Sequence, residues 1–127
     1  MLEELLNLQK NSYSPYFNFP VAAIVVTRDN KKFGGVNVEN SNGTSICAER
    51  NAIAAMVASG YSKGDIDSIH ILTSASHIAT PCFACRQVLL EFMNGEDKIY
   101  CYCKDGSCKS FTLSELCPYP FDSGDLK

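Results

Sequence analysis

Residues 67–93 read DSIHILTSASHIATPCFACRQVLLEFM, and this stretch decides the class of fold. Its first part, Asp67 to Thr73, is largely apolar and predicts a buried strand. Thr80 and Pro81 then predict a helix start, with the threonine as N-cap and the proline at the first helical position. We expect this helix to run to about Met93. A strand followed directly by a helix is typical of layered α/β folds.

The sequence on either side of this stretch continues the alternation of helices and strands. Leucines with helical spacing begin the chain, and valine-rich or β-branched segments predict strands. One further segment predicts a well-buried helix because its middle is apolar on nearly every side. These elements are helix Leu2–Gln9, strands Pro20–Thr27 and Lys32–Glu39, helix Cys47–Ser59, and strands Lys98–Lys104 and Ser107–Leu113.

Turn residues predict how several of these elements end. Asp29–Asn30 and Asp105–Gly106 are hairpin signals, and Gly60 is expected to form a left-handed helix cap. Gly34–Gly35 is expected to form a β-bulge within its strand. We therefore expect a layered α/β fold in a single domain that spans residues 1–127.

The composition excludes several classes of protein. The 127 residues are 46% apolar and 20% charged, with a formal net charge of -3, which is ordinary for a globular domain and unlike a disordered chain. The acidity argues against a nucleic-acid partner, because such binding surfaces are usually basic. The longest apolar run, Ala52–Ala58, is far shorter than the about 20 residues of a membrane span. Glu3 and Glu4 begin the chain without a basic flank, so we expect no secretory signal and a cytoplasmic location.

Seven cysteines call for an explanation in a chain of this kind. They are Cys47, Cys82, Cys85, Cys101, Cys103, Cys108 and Cys117. An odd number and an expected cytoplasmic location argue against a disulfide framework and favour metal binding or catalysis. Cys101, Cys103 and Cys117 are interpreted as small buried apolar residues.

Two short segments carry the chemistry: Cys47-Ala48-Glu49 and Pro81-Cys82-Phe83-Ala84-Cys85, each at a predicted helix N-terminus. Cys82 and Cys85, three residues apart in a first turn, can face one metal ion, and Cys47 can supply a third thiolate. Catalytic zinc keeps three protein ligands and one open position, whereas structural zinc is closed by four. The pattern predicts one catalytic Zn²⁺ per subunit, beyond the helix ends where first-turn side chains converge.

Glu49 lies beside the predicted ligands, where its carboxylate can take a proton from a metal-activated water and pass it on. Three thiolates leave a zinc site with a net negative charge, which weakens the ion as a Lewis acid. The positive ends of the two helices offset this charge, and we expect Arg50 to donate a hydrogen bond to a thiolate sulfur. The neighbouring Arg86 receives no defined role from the sequence.

Cys-x-Glu followed by Pro-Cys-x-x-Cys is close to the pattern of zinc-dependent deaminases, and further motifs narrow this similarity. The chain resembles the cytidine deaminases, short zinc-dependent enzymes that act on free nucleosides. The matching segments occur in the family's order along the chain. They are Tyr13-Ser14-Pro15-Tyr16, Phe19-Pro20-Val21, Gly35-Val36-Asn37-Val38-Glu39-Asn40, Cys47-Ala48-Glu49-Arg50, Pro81-Cys82 with Cys85-Arg86-Gln87-Val88, and Glu115-Leu116-Cys117-Pro118 with Phe121.

The resemblance implies roles for the matching positions. In the family pattern, Cys47, Cys82 and Cys85 would be the zinc ligands and Glu49 the proton shuttle.

Other positions would bind the substrate. Asn37 and Glu39 would bind the ribose hydroxyls, and their spacing places them on one face of a strand. Phe19 would pack on the pyrimidine ring. The backbone N–H of Ala48 would hold the base carbonyl, and the carbonyl of Thr80 would receive the amino group.

The resemblance also implies an architecture, an assembly and a reaction. The fold would be a three-layer α/β/α sandwich around a five-stranded mixed sheet. Phe121 would enter a neighbouring subunit's site, which implies a homotetramer. Water activated by zinc would attack C4 of the cytosine ring, with Glu49 relaying protons to N3 and the amino group. The products would be ammonia and uridine or deoxyuridine, a reaction of pyrimidine salvage.

Departures from the family pattern bear on the substrate. Ala22 stands where a glycine is usual, Phe83 also replaces a usual glycine, and the loop from Asn40 to Ile46 is short and lacks the usual aromatic residue. An alternative is a related zinc deaminase that acts on another aminated nucleoside, such as a blasticidin-type antibiotic. A base within a polynucleotide is disfavoured as the substrate, because an acidic chain lacks the positive charge that binds phosphates.

Two readings from other classes remain at this point. Cys82-x-x-Cys85 at a helix start also resembles a redox dithiol, although that reading leaves Cys47-Ala48-Glu49 unexplained. A non-catalytic zinc module would need a fourth thiolate, taken from Cys101, Cys103 or Cys108.

Overall fold

The computed structural model describes residues 1–126. In chain order the elements are α1 (Leu2–Gln9), β1 (Val21–Thr27), β2 (Lys32–Val36), α2 (Ala48–Ala58), β3 (Ile66–Thr73), α3 (Phe83–Phe92), β4 (Lys98–Tyr102), β5 (Cys108–Thr112), α4 (Leu113–Leu116) and a 3-10 turn (Ser123–Leu126). The strands form one sheet in the order β2-β1-β3-β4-β5. Only β3 and β4 pair in parallel, and the other neighbours are antiparallel.

Helices cover both faces of this sheet, so the expected α/β/α sandwich with a five-stranded mixed sheet is confirmed. On one face, Leu5 of α1 is fully buried in a cluster with Ala22, Ile24 and Leu72. On the other face, α2, α3 and α4 enclose the larger core. Its members include Ala52, Ile53, Met56, Ile69, Ile71, Leu89, Ile99 and Leu113. Each large apolar side chain buried in this way contributes about 1.5–3 kcal/mol to stability.

The predicted bulge at Gly34–Gly35 is wrong. The register between β1 and β2 runs without interruption from Ala22 opposite Val36 to Val26 opposite Lys32. Gly35 has a different purpose, because a Cβ atom there would lie 2.4 Å from the backbone nitrogen of Ala52. The glycine lets α2 pack directly on β2.

The predicted start of α3 is also wrong. Cys82, with extended ψ of 162°, is the N-cap residue, and the helix begins at Phe83. Thr80 does not cap the helix, because its hydroxyl oxygen instead accepts a hydrogen bond from the guanidinium of Arg86 at 2.7 Å. Pro81 therefore precedes the helix. It belongs to the loop that leads to Cys82 at the N-terminal end of α3.

Several turn predictions are confirmed by backbone angles. Asn30 and Gly106 have positive φ at the two predicted hairpin turns, and Gly60, which follows the C-cap residue Ser59 of α2, has φ of +97°. His70, which the sequence does not assign to the site, lies within β3 with its ring stacked on Tyr100 at 4.5 Å. Among residues 1–126, no helix has both the length and the apolar character needed to cross a bilayer.

Candidate active site

Three cysteine sulfurs meet where the N-terminal ends of α2 and α3 converge. Cys47 is the N-cap residue of α2, Cys82 is the N-cap residue of α3, and Cys85 lies in the first turn of α3. The Cys47 and Cys82 sulfurs are 3.9 Å apart, and those of Cys82 and Cys85 are 3.3 Å apart. All three ligand atoms lie within 4.8 Å of one another. The predicted convergence beyond the helix ends is therefore present.

The chemistry of this sulfur cluster fits a zinc ion. Thiolates are ligands that Zn²⁺ prefers, and two helix N-termini direct their positive ends at the cluster. A hydrogen bond from Cys85 lowers the pKa of Cys47 to about 6, and the nearby positive charge of Arg50 acts in the same direction. The same hydrogen bond to Cys47, together with burial, raises the pKa of Cys85. A thiolate thus forms readily at Cys47.

The cluster holds no further ligand from residues 1–126. Cys101 and Cys103 are buried elsewhere, and Cys108 is exposed. Cys101 belongs to the apolar core, as the sequence predicted. Three thiolates without a fourth match an open, catalytic type of zinc site and not a closed structural one.

Glu49 lies next to the sulfurs and is almost fully buried, with 5% of its surface exposed. Burial raises the pKa of its carboxyl group, while a hydrogen bond from Cys85 partly offsets that effect. A carboxyl group with a raised pKa exchanges protons more readily near neutral pH than an ordinary glutamate. This is the property that a proton shuttle needs.

A cleft of about 250 Å³ opens directly above this cluster. It brings together most of the residues that the sequence singled out. The walls are formed by Phe19, Val21, Asn37, Glu39, Ser45, Ile46, Cys47, Ala48, Glu49, Ile71, Thr73, Ala79, Thr80, Pro81 and Cys82. Cys85, the third candidate ligand, does not line this cleft and is fully buried. A concave, largely apolar pocket with a few converging polar groups is typical of a small-molecule site.

Asn37 connects the cleft to the loop that precedes β1. Its side-chain oxygen accepts a hydrogen bond from the backbone N–H of Val21 at 2.9 Å and another from the hydroxyl of Ser12. Its side-chain nitrogen donates to the carbonyl of Phe19 at 2.9 Å. The amide of Asn37 therefore helps to place Phe19 at the cleft.

Glu39 holds the same loop through its carboxylate. The hydroxyl of Ser14 donates to Oε2 at 2.6 Å, and the backbone N–H groups of Tyr16 and Phe17 donate to Oε1 at 2.9 and 3.2 Å. Burial opposes ionisation, but these hydrogen bonds outweigh it and lower the pKa of Glu39. Glu39 is thus a fixed anion on the wall of the cleft.

Thr80 and Ala48 offer backbone groups on opposite sides of the cleft. The carbonyl oxygen of Thr80 accepts no hydrogen bond from residues 1–126. Ala48 is the first residue of α2, so its N–H has no acceptor within the helix. Both groups are free to bind a ligand.

Two predicted site residues lie outside the cleft. The side chain of Arg50 is exposed and, within residues 1–126, makes no hydrogen bond to a cysteine sulfur; its charge acts on Cys47 only at a distance. Phe121 is 61% exposed and lines a separate cavity with Phe83 and Tyr119.

Sequence reasoning missed the role of Arg86. Its guanidinium donates hydrogen bonds to Pro81, Thr80 and Leu116. Its position directly after the last cysteine of the motif was the available signal, but the acceptors come from the tertiary fold.

Comparison with protein families identifies one match. Residues 1–103 match the model of the "cytidine and deoxycytidylate deaminase zinc-binding region". The chain is 40% identical over 117 residues to the cytidine deaminase of Mycoplasma genitalium, covering 91% of this chain and 88% of that protein. It is 31% identical over 127 residues to the cytidine deaminase of Halalkalibacterium halodurans, covering 99% and 95%.

Comparison with solved structures agrees. The crystal structure of cytidine deaminase from Burkholderia pseudomallei superposes with a TM-score of 0.90 at 33% sequence identity, covering 94% of this chain and 95% of that one. The cytidine deaminase from Mycobacterium tuberculosis superposes with a TM-score of 0.81 at 27% identity, with 96% and 94% covered.

Proposed function

The chain belongs to the cytidine and deoxycytidylate deaminase family, and from this premise we propose that it hydrolyses cytidine, deoxycytidine or both to the corresponding uridine and ammonia. The observation that carries the proposal is the convergence of Cys47, Cys82 and Cys85 beside the buried carboxyl group of Glu49. The relatives described above are all named cytidine deaminases, so the alternative of an antibiotic deaminase is not favoured.

Zinc and Glu49 have separate tasks in this proposal. When bound by the three cysteines, zinc lowers the pKa of a water molecule and so makes it a nucleophile at neutral pH. Glu49 accepts the proton of that water and delivers protons to N3 and to the departing amino group. Its raised pKa suits both directions of transfer.

The other groups on the wall of the cleft bind the nucleoside. Phe19 packs on the pyrimidine ring, and the free N–H of Ala48 donates to the base carbonyl. The unpaired carbonyl of Thr80 accepts a hydrogen bond from the amino group that will leave as ammonia. Asn37 and Glu39 bind the sugar hydroxyls with the hydrogen-bonding capacity that the loop leaves free.

The proposal extends to assembly and physiological setting. Phe121 does not line the cleft of its own chain and is exposed together with Phe83 and Tyr119, which supports its insertion into the site of a neighbouring subunit in a homotetramer. Light scattering gives the number of subunits, and Phe121→Ala would then lower activity toward cytidine in an intact tetramer. We further propose a cytoplasmic single-domain enzyme of pyrimidine salvage.

Conversion of cytidine to uridine by the purified zinc-loaded protein tests the function. The ultraviolet absorbance change of the base follows the reaction, and released ammonia confirms its stoichiometry. Conversion by the wild type together with loss of turnover in a zinc-loaded Glu49→Ala variant supports the proposal. A zinc-loaded wild-type protein that converts neither cytidine nor deoxycytidine would overturn it.

A further inference from the structure

Arg86 donates to three acceptors, which join the Thr80–Pro81 segment beside the zinc ligands to α4. Its Nε donates to the carbonyl oxygen of Pro81 at 2.8 Å, and its Nη2 donates to the hydroxyl oxygen of Thr80 at 2.7 Å. Its Nη1 donates to the carbonyl oxygen of Leu116 at 2.8 Å. The first two acceptors immediately precede the ligand Cys82, and the third is the last residue of α4.

We propose that Arg86 is a positioning residue for the deamination. It holds the loop Thr80–Cys82 in place against α4 and so sets the direction of the Thr80 carbonyl. The inference deepens the proposed function, because the Thr80 carbonyl is the acceptor proposed for the leaving amino group.

The Thr80 side chain and the Pro81 carbonyl depend on Arg86 for their hydrogen bonds. Residues 80–82 lie in no helix or strand, and Pro81 has no N–H to donate. The side chain of Thr80 is exposed and makes its hydrogen bond with Arg86. Loss of the guanidinium would therefore leave the Thr80 hydroxyl and the Pro81 carbonyl without these hydrogen bonds, and the Thr80 backbone at the cleft would be held less firmly.

The guanidinium of arginine suits these three contacts better than the compact ammonium group of lysine. The acceptors lie on Thr80, Pro81 and Leu116, and the planar guanidinium has donors pointing in several fixed directions. The ring of Phe83 packs on the guanidinium, whose central carbon Cζ lies 4.4 Å from the ring centroid. This contact gives the largely exposed Phe83 a structural purpose, since a stacked aromatic ring restricts the arginine side chain.

A role in positioning differs in its consequences from a role in charge compensation. If Arg86 acted by its charge alone, lysine would replace it. Because Arg86 acts by joining three acceptors, we expect Arg86→Lys to lower kcat/KM for cytidine nearly as much as Arg86→Gln. Loss of hydrogen bonds from a charged donor of this kind predicts a decrease in kcat/KM of about 10-fold to 100-fold in both variants.

The experiment measures kcat and KM for cytidine, the zinc content, and the rate at which a chelator removes zinc from the folded protein. We expect both variants to bind one zinc ion per chain, to lose kcat more than they raise KM, and to release zinc faster than the wild type. Arg28→Lys is the matched control. Arg28 donates side-chain hydrogen bonds to Gly64 and Asp97, away from the cleft, so its substitution should leave kcat, KM and zinc release unchanged.

Thr80→Val provides a second test if the Arg86 variants fail to fold. It removes one acceptor of Arg86 and keeps the backbone carbonyl, so we expect a smaller loss that is not additive with Arg86→Lys in a double-mutant cycle. Wild-type kinetics and zinc release in Arg86→Lys would overturn the proposal, as would an equal loss in Arg28→Lys. If the wild type itself converts no cytidine, the proposed function fails, whereas zinc release still tests the positioning.

Discussion

Gly35 of β2 lies directly against Ala52 of α2, backbone to backbone. A Cβ atom at Gly35 would stand 2.4 Å from the Ala52 nitrogen and 2.6 Å from the carbonyl oxygen of Ala48. These atoms belong to a helix and cannot rotate aside, so the contact sets the distance between strand and helix. Since α2 also carries Cys47 and Glu49, the same contact places the candidate active site.

Gly35→Ala should therefore displace α2 and lower the free energy of unfolding by about 1–3 kcal/mol, the usual cost of overpacking. Urea denaturation measures the change. The neighbouring Gly34→Ala is the control, because its added Cβ meets only the flexible end of Leu8. Equal stability of the two variants would contradict this account of the packing.

Glu49→Gln keeps the shape of the side chain but removes its ability to exchange protons. We expect the variant to retain one zinc ion and to lose at least about 10²-fold to 10⁴-fold in kcat, the range typical of general acid–base catalysis. Measuring the zinc content of the same sample that is used for kinetics separates a loss of proton transfer from a loss of zinc. Turnover near the wild-type value in zinc-loaded protein would show that another group moves the proton.

Ser14→Ala tests whether Glu39 and Phe19, which we propose bind the sugar and the base, are coupled. The Ser14 hydroxyl donates to Glu39 and accepts from the backbone N–H of Phe19 at 2.9 Å, so its loss removes one hydrogen bond from each of these residues. We expect KM for cytidine to rise about 10-fold, the scale of one lost charge-assisted hydrogen bond, with a smaller change in kcat. Ser59→Ala, which removes a single hydrogen bond at the far end of α2, should leave both constants unchanged; a wild-type KM in Ser14→Ala would exclude the coupling.

His70 predicts a pH dependence of stability. Burial lowers its pKa from 6.5 to about 4 in the folded protein. Between these values the unfolded chain binds the proton more readily, so stability falls as the pH drops from 6.5 towards 4 and is constant above 6.5 with respect to this group. Phenylalanine can keep the stacking on Tyr100 but cannot titrate.

Denaturation of the wild type and His70→Phe from pH 4 to 8 isolates this contribution, because every other titrating group is common to both proteins. We expect the difference in unfolding free energy between them to vary below pH 6.5 and to be level above it. A difference that is constant over the whole range would show that His70 titrates normally in the folded state.

Local pattern determined a large part of this protein. The order and type of the helices and strands follow from hydrophobic period and turn residues, which act over short distances. The spacing of Cys82 and Cys85 within one helical turn likewise predicts their shared ligand role, and Cys47 with Glu49 follows from the second motif.

Other features could not be read from local pattern. Gly34–Gly35 looks like a bulge, yet only the packing of α2 shows why Gly35 lacks a side chain. Thr80–Pro81 looks like a helix start, yet Arg86 draws the threonine hydroxyl away and the helix begins at Phe83.

The tertiary structure alone decided which distant residues become partners. Arg86 reaches Leu116, thirty positions along the chain, and Glu39 holds backbone groups of residues 16 and 17. Such contacts depend on the sheet order and on how closely the helices approach it. Sequence period determines which face of an element is buried, but which groups then meet across that buried face is a property of the whole fold.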